Sequence, residues 1–306
     1  MHFPVAALTL LPLSAHAINI ISSNDDGWAE INIRQLYDSL TEAGHSVVIS
    51  APAENESGTG HKIKGSDDGT PTVLTSACEF DSCPAGSPAY GSNATQPRFN
   101  YVNSYPVTSI KYGINTLAST FFSGAAPDLA VTGPNVGSNL GWEVFFSGTV
   151  GAATYAANTA GIPAVAFSGA TGAQTAWNVS AVPLYSQVYA ALATKLTDQL
   201  IAGGAPYLPD NVWLNVNFGA VTDGGSCASA DEFSFVLSRI HTALPLITAD
   251  DVETCGSTRL PTETSVVDSD GCYVSVSVGL ASDKLDANAT VQGVVLEKLG
   301  DLLTCL

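Results

Sequence analysis

The sequence predicts an α/β fold built on one open, mainly parallel sheet. Two observations carry this prediction. Short apolar runs of strand length alternate with apolar residues at helical spacing, and polar loops fall where the strands should end. Such alternation is typical of βαβ units, whose parallel strands are joined by right-handed crossovers. With 306 residues, 45% of them hydrophobic, the chain is long enough to bury the core of such a sheet.

The first βαβ unit lies at the start of the predicted mature chain. Residues 18–23 have the apolar character of a strand, and the polar loop NDDG follows at 24–27. Apolar residues then recur at helical spacing as far as Leu40, and Gly44 marks the end of the helix. Because residues 46–52 form a second apolar run, we expect them to pair in parallel with the first strand.

The same pattern recurs in the second half of the chain. Residues 128–132 predict a strand that enters a loop rich in Gly and Asn at 133–141, and Ser147 stands where it would cap an Ala-rich helix ending near Gly161. The remaining predicted elements are a strand at 162–168, a helix around 182–201, a half-exposed strand at 212–218 and a strand at 273–278.

The domain organisation follows from the segments that lack such periodicity. Residues 1–17 are apolar, too short to span a bilayer and end in Ala-His-Ala, which predicts a signal peptide and a mature chain beginning near Ile18. We expect residues 18–306 to form one domain. It contains an irregular insertion at 65–106, a second irregular stretch at 220–261 and a C-terminal segment at 263–306 that packs on the core or on a partner subunit.

The cysteines and glycosylation motifs agree with export. The six cysteines form an even set, and four Asn-x-Ser/Thr sequons begin at Asn55, Asn93, Asn178 and Asn288. Cys78 and Cys83 enclose a short loop and are expected to pair, whereas the connectivity of the other four cysteines stays open. A zinc site is the weaker alternative, because the cysteines show neither C-x-x-C pairs nor a histidine at finger spacing.

The charge balance and the lengths of the apolar stretches argue against two classes of partner. The formal net charge is −18, with 28 acidic and 10 basic residues and no run of Lys or Arg, so we expect no polymeric nucleic acid as a partner. After the leader, no stretch approaches the ~20 apolar residues of a membrane span, so we expect no membrane association. An acidic surface suits an exported protein in an acidic medium.

Three polar loops are placed to carry chemistry at the carboxyl ends of the predicted strands. They are the 24–27 loop, the loop ESGTGH at 56–61, and the 133–141 loop with Ser147, Gly148 and Thr149 beyond it. The adjacent carboxylates of Asp25 and Asp26 repel each other, and such hard oxygen ligands suit Mg²⁺, Mn²⁺ or Ca²⁺. The alternative is an acidic turn in which Asn24 or Asp25 caps the next helix.

These loops resemble one known family in their order along the chain. Four segments are similar to motifs of the SurE phosphatases and nucleotidases, especially those of secreted fungal members. They read SSNDDGW, APAENESGTGHKI, PDLAVTGPNVGSNLG and FFSGTVGAA. The resemblance implies a three-layer, Rossmann-like sheet and a secreted acid phosphatase with 5′-nucleotidase activity, acting on a nucleotide or another small phosphomonoester. It also implies homodimers or homotetramers with exchanged C-terminal segments.

The resemblance further implies one divalent metal, Mg²⁺ or Mn²⁺, with Ca²⁺ as a further candidate. Its ligands carry over by motif to Asp25, Asp26, Ser57 and Asn135. This chain has TGPN where the family has SGIN, so Pro134 alters the loop that carries the asparagine.

The residue types then suggest roles in phosphoester hydrolysis. Asp25 or Asp26 could act as general base or as nucleophile, and the sequence does not separate these. The helix after Ser147 would add its N-terminal dipole to the substrate contacts. The predicted substrate-binding residues are Asn24, Gly58, Thr59, Asn139, Ser147, Gly148 and Thr149.

Several of these residues have ordinary alternatives. Ser147 is equally a helix N-cap, Asn139 could hold a turn, and His61, Lys62 and Lys64 are better explained as solvated.

Other kinds of active site are less well supported. A haloacid-dehalogenase-type site at Asp268 is a weaker alternative to the Asp25 and Asp26 site, because Asp268 lies near the C-terminus and not after the first strand. A serine-hydrolase site and a P-loop nucleotide site are disfavoured, because the motif G-x-S-x-G and the P-loop motif are both absent. The main rival function is an exported metal- or ligand-binding protein without catalysis.

Overall fold

The computed structural model describes residues 17–60 and 69–306. The predicted signal peptide, apart from Ala17, lies outside the described residues, as do His61, Lys62, Lys64 and the start of the predicted insertion. Ten strands form the sheet: β1 (Asn19–Ser23), β2 (Ser46–Pro52), β3 (Tyr90–Ser92), β4 (Phe99–Val102), β5 (Leu129–Val136), β6 (Ala164–Gly169), β7 (Val212–Phe218), β8 (Ser234–Ser238), β9 (Tyr273–Leu280) and β10 (Leu303–Thr304). The helices are α1 (Ile31–Glu42), α2 (Pro106–Tyr112), α3 (Ala118–Phe121), α4 (Gly148–Asn158), α5 (Leu184–Ala202), α6 (Glu263–Val267) and α7 (Ala289–Leu299).

The strands lie in the order β10-β8-β9-β7-β6-β5-β1-β2-β4-β3. The six strands from β4 to β7 run parallel, β3 is antiparallel at one edge, and β9 is antiparallel to β7 and parallel to β8 and β10. The chain runs from β1 outward to β2 and β4, and then crosses to β5 on the other side of β1. A ligand cleft is expected at this reversal, outside the carboxyl ends of β1 and β5.

Helices cover both faces of the sheet and make a three-layer fold. Helices α1, α5 and α7 pack together on one face, while α2 and α4 pack on the other. Neighbouring residues of β1 divide between the two resulting cores, since Ile20 belongs to the first and Ile21 to the second. This arrangement confirms the predicted α/β class and the mainly parallel sheet.

The strand β7 corrects one expectation. Its alternating sequence predicted a half-exposed strand, but all seven residues from Val212 to Phe218 are buried. β6 and β9 flank it in the sheet, α4 and α6 contact it, and its Phe218 stacks on Tyr189 of α5. The polar residues Asn215 and Asn217 are therefore interior groups, and they must find partners inside the protein.

The strand β5 is longer than predicted. It continues through Val136, with an irregular register between Thr132 and Asn135. Gly133 lies at the irregularity with φ of 95°, and a Cβ there would stand 2.2 Å from the carbonyl oxygen of Phe167. Only glycine fits this position, and it directs the following residues toward the carboxyl edge of the sheet.

The C-terminal segment is part of the same sheet. β9 lies between β7 and β8. Helix α6 packs on β7, β8 and β9, and α7 packs on α5 and β9. Three disulfides join Cys78 to Cys83, Cys227 to Cys272 and Cys255 to Cys305. The first pair confirms the prediction, and the other two tie the C-terminal segment to the irregular stretch before it.

The irregular segments also contribute strands. β3 and β4 lie within the predicted insertion at 65–106, and β4 pairs in parallel with β2. β8 lies within the stretch at 220–261. In the part of the chain that the structure describes, none of the helices combines the length and the apolar character needed to cross a membrane.

Candidate active site

The acidic loop closes directly after β1. The side-chain amide of Asn24 donates to the carbonyl of Gly27 at 2.9 Å, and its oxygen accepts from the amide of Gly27 at 3.2 Å. Both ends of the Asn24 side chain are thus engaged within the turn, which favours a turn-forming role over substrate contact. The N-cap of α1 is Glu30, so the alternative in which Asn24 or Asp25 caps that helix is wrong.

Asp25 faces the N-terminus of α4. One carboxylate oxygen accepts from the amide of Gly148 at 3.0 Å, and the other accepts from the hydroxyl of Thr149 at 2.5 Å. Ser147 caps the helix, as predicted, and its hydroxyl oxygen accepts from the amide of Val150 at 3.1 Å. The positive end of the helix dipole is therefore directed at an acidic group.

Asp26 is held by the last residue of β5 and by a residue of the loop after β6. The amide of Val136 donates to its carboxylate at 2.9 Å, and the side-chain amide of Gln174 donates to the second oxygen. The amino group of Asn135 donates to the carbonyls of Val136 and Gly137. Its oxygen Oδ1 is the atom that remains to act as a ligand.

The serine loop lies beside Asp25 through backbone contacts. The amide of Glu56 donates to the carbonyl of Asp25 at 2.7 Å, and the hydroxyl of Thr59 donates to the carbonyl of Glu56 at 2.6 Å. Ser57 and Gly58 are exposed, and the amide of Ser57 donates to Asn55 Oδ1. The loop thus lies at the same edge of the sheet as the aspartates, with Ser57 at the surface.

Asn139 is buried, and its backbone amide, its carbonyl and its side-chain NH₂ group are hydrogen-bonded. Its side-chain amide donates to the Ser168 hydroxyl at 2.8 Å, its backbone amide donates to Asn217 Oδ1 at 2.8 Å, and its carbonyl accepts from Asn215 and Asn217. The adjacent Gly141 amide donates to Glu263. The loop after β5 therefore has a defined conformation.

The centre carries a concentration of buried acid. Burial raises the pKa of Asp25, and burial together with the charge of Asp25 raises the pKa of Asp26 well above its ordinary value. Burial and the charge of Asp26 likewise raise the pKa of Glu30, and burial with Glu54 raises the pKa of Glu79 to about 7.

These carboxylates lack basic partners. Within residues 17–60 and 69–306, neither Asp25 nor Asp26 forms an ion pair with Lys, Arg or His. One carboxylate oxygen each of Glu30 and Glu79 is also buried without a hydrogen-bond partner. A cation is the simplest group that would neutralise this acidic centre.

The donor set fits a hard divalent cation. Asp25 and Asp26 supply carboxylate oxygens, and Asn135 and Ser57 can supply neutral oxygens, which is the oxygen chemistry that Mg²⁺ and Mn²⁺ prefer. Among the described residues, no group of three or more His, Cys, Asp or Glu is arranged to hold a metal ion. A cation at this centre would therefore depend on the neutral oxygens and on substrate or water for the rest of its shell.

Four residues of this region were not predicted from the sequence: Gln174, Asn215, Asn217 and Glu263. A signal existed for the two asparagines, because polar residues at alternate positions of a strand flanked by other strands require interior partners. The sequence contains no such signal for Gln174 and Glu263. Each lies in a segment without clear periodicity, and their partners Asp26 and Gly141 are more than 100 positions away.

Comparisons with known proteins agree with this architecture. A family model described as "Survival protein SurE" matches residues 20–231. An acid phosphatase of Yarrowia lipolytica is 34% identical over 283 residues, which cover 85% of this chain and 78% of that protein. A 5′-nucleotidase SurE of Solidesulfovibrio magneticus is 34% identical over 151 residues, which cover 49% of this chain and only 50% of that protein.

A solved structure is similar over nearly its whole length. The SurE protein from Aquifex aeolicus superimposes with a TM-score of 0.58 and 21% identity, covering 91% of this chain and 98% of the other. At this identity the likeness shows the fold.

Proposed function

The chain belongs to the SurE family, and we propose that it is a phosphoric monoester hydrolase, an acid phosphatase and 5′-nucleotidase that requires a divalent metal. The observation that carries the proposal is the position of two adjacent buried aspartates at the point where the strand order reverses, with Asp25 hydrogen-bonded to the N-terminus of α4. A helix N-terminus binds phosphate well, and the adjacent carboxylates supply the negative oxygens that a metal needs.

The metal would be held by Asp25, Asp26, Asn135 and Ser57. When bound it would neutralise the phosphoryl oxygens as a Lewis acid, and either Mg²⁺ or Mn²⁺ suits these ligands. The chain's own residues perform the remaining tasks, which are binding, orientation and proton transfer.

Phosphate binding falls to the groups around the start of α4. The Ser147 hydroxyl accepts from Val150 and keeps its own proton, which it can donate to a phosphate oxygen. Thr149 and the Gly148 amide donate to Asp25, so we assign them first to holding that carboxylate. Asn139 completes the phosphate-binding set, because its side-chain NH₂ group has a second hydrogen besides the one donated to Ser168.

Proton transfer falls to the aspartates. The attacking water must lose a proton while the leaving alkoxide must gain one. Either of the two buried carboxylates, Asp25 or Asp26, could accept the proton from the water and pass it to the alkoxide. The pH profiles of Asp25→Asn and Asp26→Asn would show which of the two aspartates accepts the proton.

We also propose that the protein is secreted. The leader at 1–17, the sequons and the three disulfides support export. The substrates would be nucleoside monophosphates and other small phosphomonoesters, as the names of the relatives suggest. Assembly into homodimers or homotetramers stays a prediction.

The experiment measures hydrolysis of an aryl phosphate and of AMP between about pH 4 and 8, with chelator, with Mg²⁺ and with Mn²⁺. We expect turnover that chelator abolishes, and a fall in kcat of at least ~100-fold in Asp25→Asn, the size of effect that loss of a general base produces. The exposed Asp223 provides the control variant Asp223→Asn, which should match the wild type. Absent turnover, or turnover equal in the Asp25 variant and the wild type, would leave a metal- or ligand-binding protein without catalysis.

A further inference from the structure

Glu263 is a buried carboxyl group outside the proposed catalytic centre. It is the first residue of α6, it is fully buried, and it lies beyond residue 231, where the match to the family model ends. Its two oxygens accept hydrogen bonds from different partners, the Gly141 amide at 2.7 Å and the Asn215 side chain at 2.9 Å. No Lys or Arg of the described chain forms an ion pair with it.

Both partners of Glu263 relate to the loop of Asn139. The same Asn215 amide that donates to Glu263 donates at 2.8 Å to the carbonyl of Asn139, and Gly141 lies two residues further along the same loop. Asn217 holds the backbone of Asn139 from its other side, accepting from the amide at 2.8 Å and donating to the carbonyl at 3.2 Å. One carboxyl group thus connects to both ends of the 139–141 segment.

A purely structural role would not require this residue type. An apolar side chain of similar volume fills a core with less desolvation than a carboxyl group, and breaking a hydrogen-bonded buried carboxyl leaves its donors unpaired. The network instead converges on Asn139, a loop residue whose side chain is predicted to contact phosphate. Such convergence is typical of groups that support a binding residue.

We infer that Glu263 is a positioning residue, which acts through Asn215 and Gly141 to hold Asn139 in the orientation that binds the phosphate of the substrate. The inference rests on the proposed function, because it needs Asn139 to be a phosphate contact. It assigns the C-terminal segment of this chain a part in substrate binding.

The test is a double-mutant cycle between Glu263→Gln and Asn139→Ala. Gln retains the shape of Glu but replaces one acceptor oxygen with an amino group, which would oppose the Asn215 amide. We expect KM for the aryl phosphate and the inhibition constant of inorganic phosphate to rise roughly tenfold in Glu263→Gln, the effect of one hydrogen bond, while kcat changes by less than about threefold. In the Asn139→Ala background, Glu263→Gln should add no further effect.

The controls separate positioning from loss of stability. The exposed Glu253 allows the charge-matched variant Glu253→Gln, which should leave both constants unchanged. Should Glu263→Gln fail to fold, Asn215→Ala removes the connecting group and should give the same cycle with Asn139→Ala.

Three results would overturn the inference. They are an unchanged KM in Glu263→Gln, an equal further rise in KM in the Asn139→Ala background, and an unchanged KM in Asn139→Ala itself. The last result, together with an inactive Asp25→Asn, would leave the proposed function standing. An Asp25→Asn enzyme as active as the wild type would instead remove the proposed function and this inference together.

Discussion

At the scale of single residues, the two aspartates differ in how they are held. Asp25 accepts from two groups of α4, whereas Asp26 accepts from the Val136 backbone and from the side chain of Gln174. Gln174 lies in the loop after β6 and is the only one of these donors that belongs to an exposed residue. A substitution there changes the support of Asp26 without entering the core.

We therefore predict that Gln174→Leu weakens the metal affinity of the centre. Removing a donor that orients a ligating carboxylate typically lowers metal affinity by about 10- to 100-fold. The concentration of Mn²⁺ that gives half-maximal hydrolysis should rise by that factor, with kcat at saturating Mn²⁺ nearly retained. Gln187→Leu is the control, because Gln187 on α5 is also exposed but donates to the Val182 carbonyl, away from Asp26. A metal requirement identical in the two variants would contradict this role.

Residue by residue, the sequence predicted the parts of the centre that lie in short motifs. Asp25 and Asp26 were identifiable because adjacent carboxylates directly after an apolar strand need neutralising. Ser147 was identifiable as an N-cap from its position before an Ala-rich run. Gln174 was not, because one glutamine in an irregular loop has no local pattern that relates it to a residue 148 positions earlier.

At the scale of elements, α4 and the acidic loop approach each other closely. An ideal Cβ on Gly148 would stand 2.8 Å from both the Asp25 Cβ and the Pro106 Cγ, and 3.0 Å from the Thr59 hydroxyl oxygen. The absence of a side chain at Gly148 allows the helix N-terminus to reach the carboxylate. The helix, the acidic loop and the serine loop therefore meet at one glycine.

We predict that Gly148→Ala moves α4 away from Asp25. The added methyl group should lower the free energy of unfolding by about 1 to 3 kcal/mol, as overpacking does, and should lower kcat/KM for the aryl phosphate at least tenfold. The comparison is Gly293→Ala in α7, where the nearest neighbour of an added Cβ is Val252 at 3.7 Å. Because alanine favours helix, that variant should be as stable as the wild type or more so. Urea unfolding of both variants checks the prediction, which a stable and fully active Gly148→Ala would refute.

The element that the sequence misjudged was β7. Alternation of apolar and polar residues normally marks a strand with one solvated face, and on that basis β7 was expected to be half exposed. Its asparagines instead face the interior and bind Asn139. The alternation is present, but its polar positions belong to a buried hydrogen-bond network and not to a solvated face.

At the scale of the whole molecule, the buried carboxyl groups set the response to pH. Burial raises the pKa of Asp26 and Glu30 well above their ordinary values, and raises that of Glu79 to about 7 and that of Glu263 to about 8. In the unfolded chain these groups titrate near 4. Between about pH 5 and 7 the folded state therefore binds more protons than the unfolded state, so the free energy of unfolding falls as pH rises.

We predict that the chelator-treated protein has a higher Tm at pH 5 than at pH 7. Each fully protonated group contributes a slope of at most ~1.4 kcal/mol per pH unit, so Glu263→Gln should flatten the dependence by up to that amount. Glu253→Gln should leave the slope unchanged. Added Mn²⁺ should raise Tm most at pH 7, where the aspartates carry the most charge. A Tm that rises between pH 5 and 7 would show that other groups dominate.

The overall architecture was more predictable than its connections. Periodicity identified the central strands β1, β2, β5, β6 and β7 and the helices α1, α4 and α5, since each of these elements repeats its pattern over five or more residues. The placement of β9 between β7 and β8, and the pairing of Cys227 with Cys272, depend on contacts across the fold. No local pattern encodes such contacts, and four cysteines alone allow three connectivities.

The two long-range disulfides also determine what a protease could do to this molecule. Cys227 is bonded to Cys272, and Cys255 to Cys305, so the two covalent loops overlap along the chain. A single backbone cut at any point between Cys227 and Cys305 leaves the two pieces joined by at least one of these bonds. The clipped protein would migrate as fragments only after reduction, and the piece that carries Glu263 would stay attached to the piece that carries the aspartates.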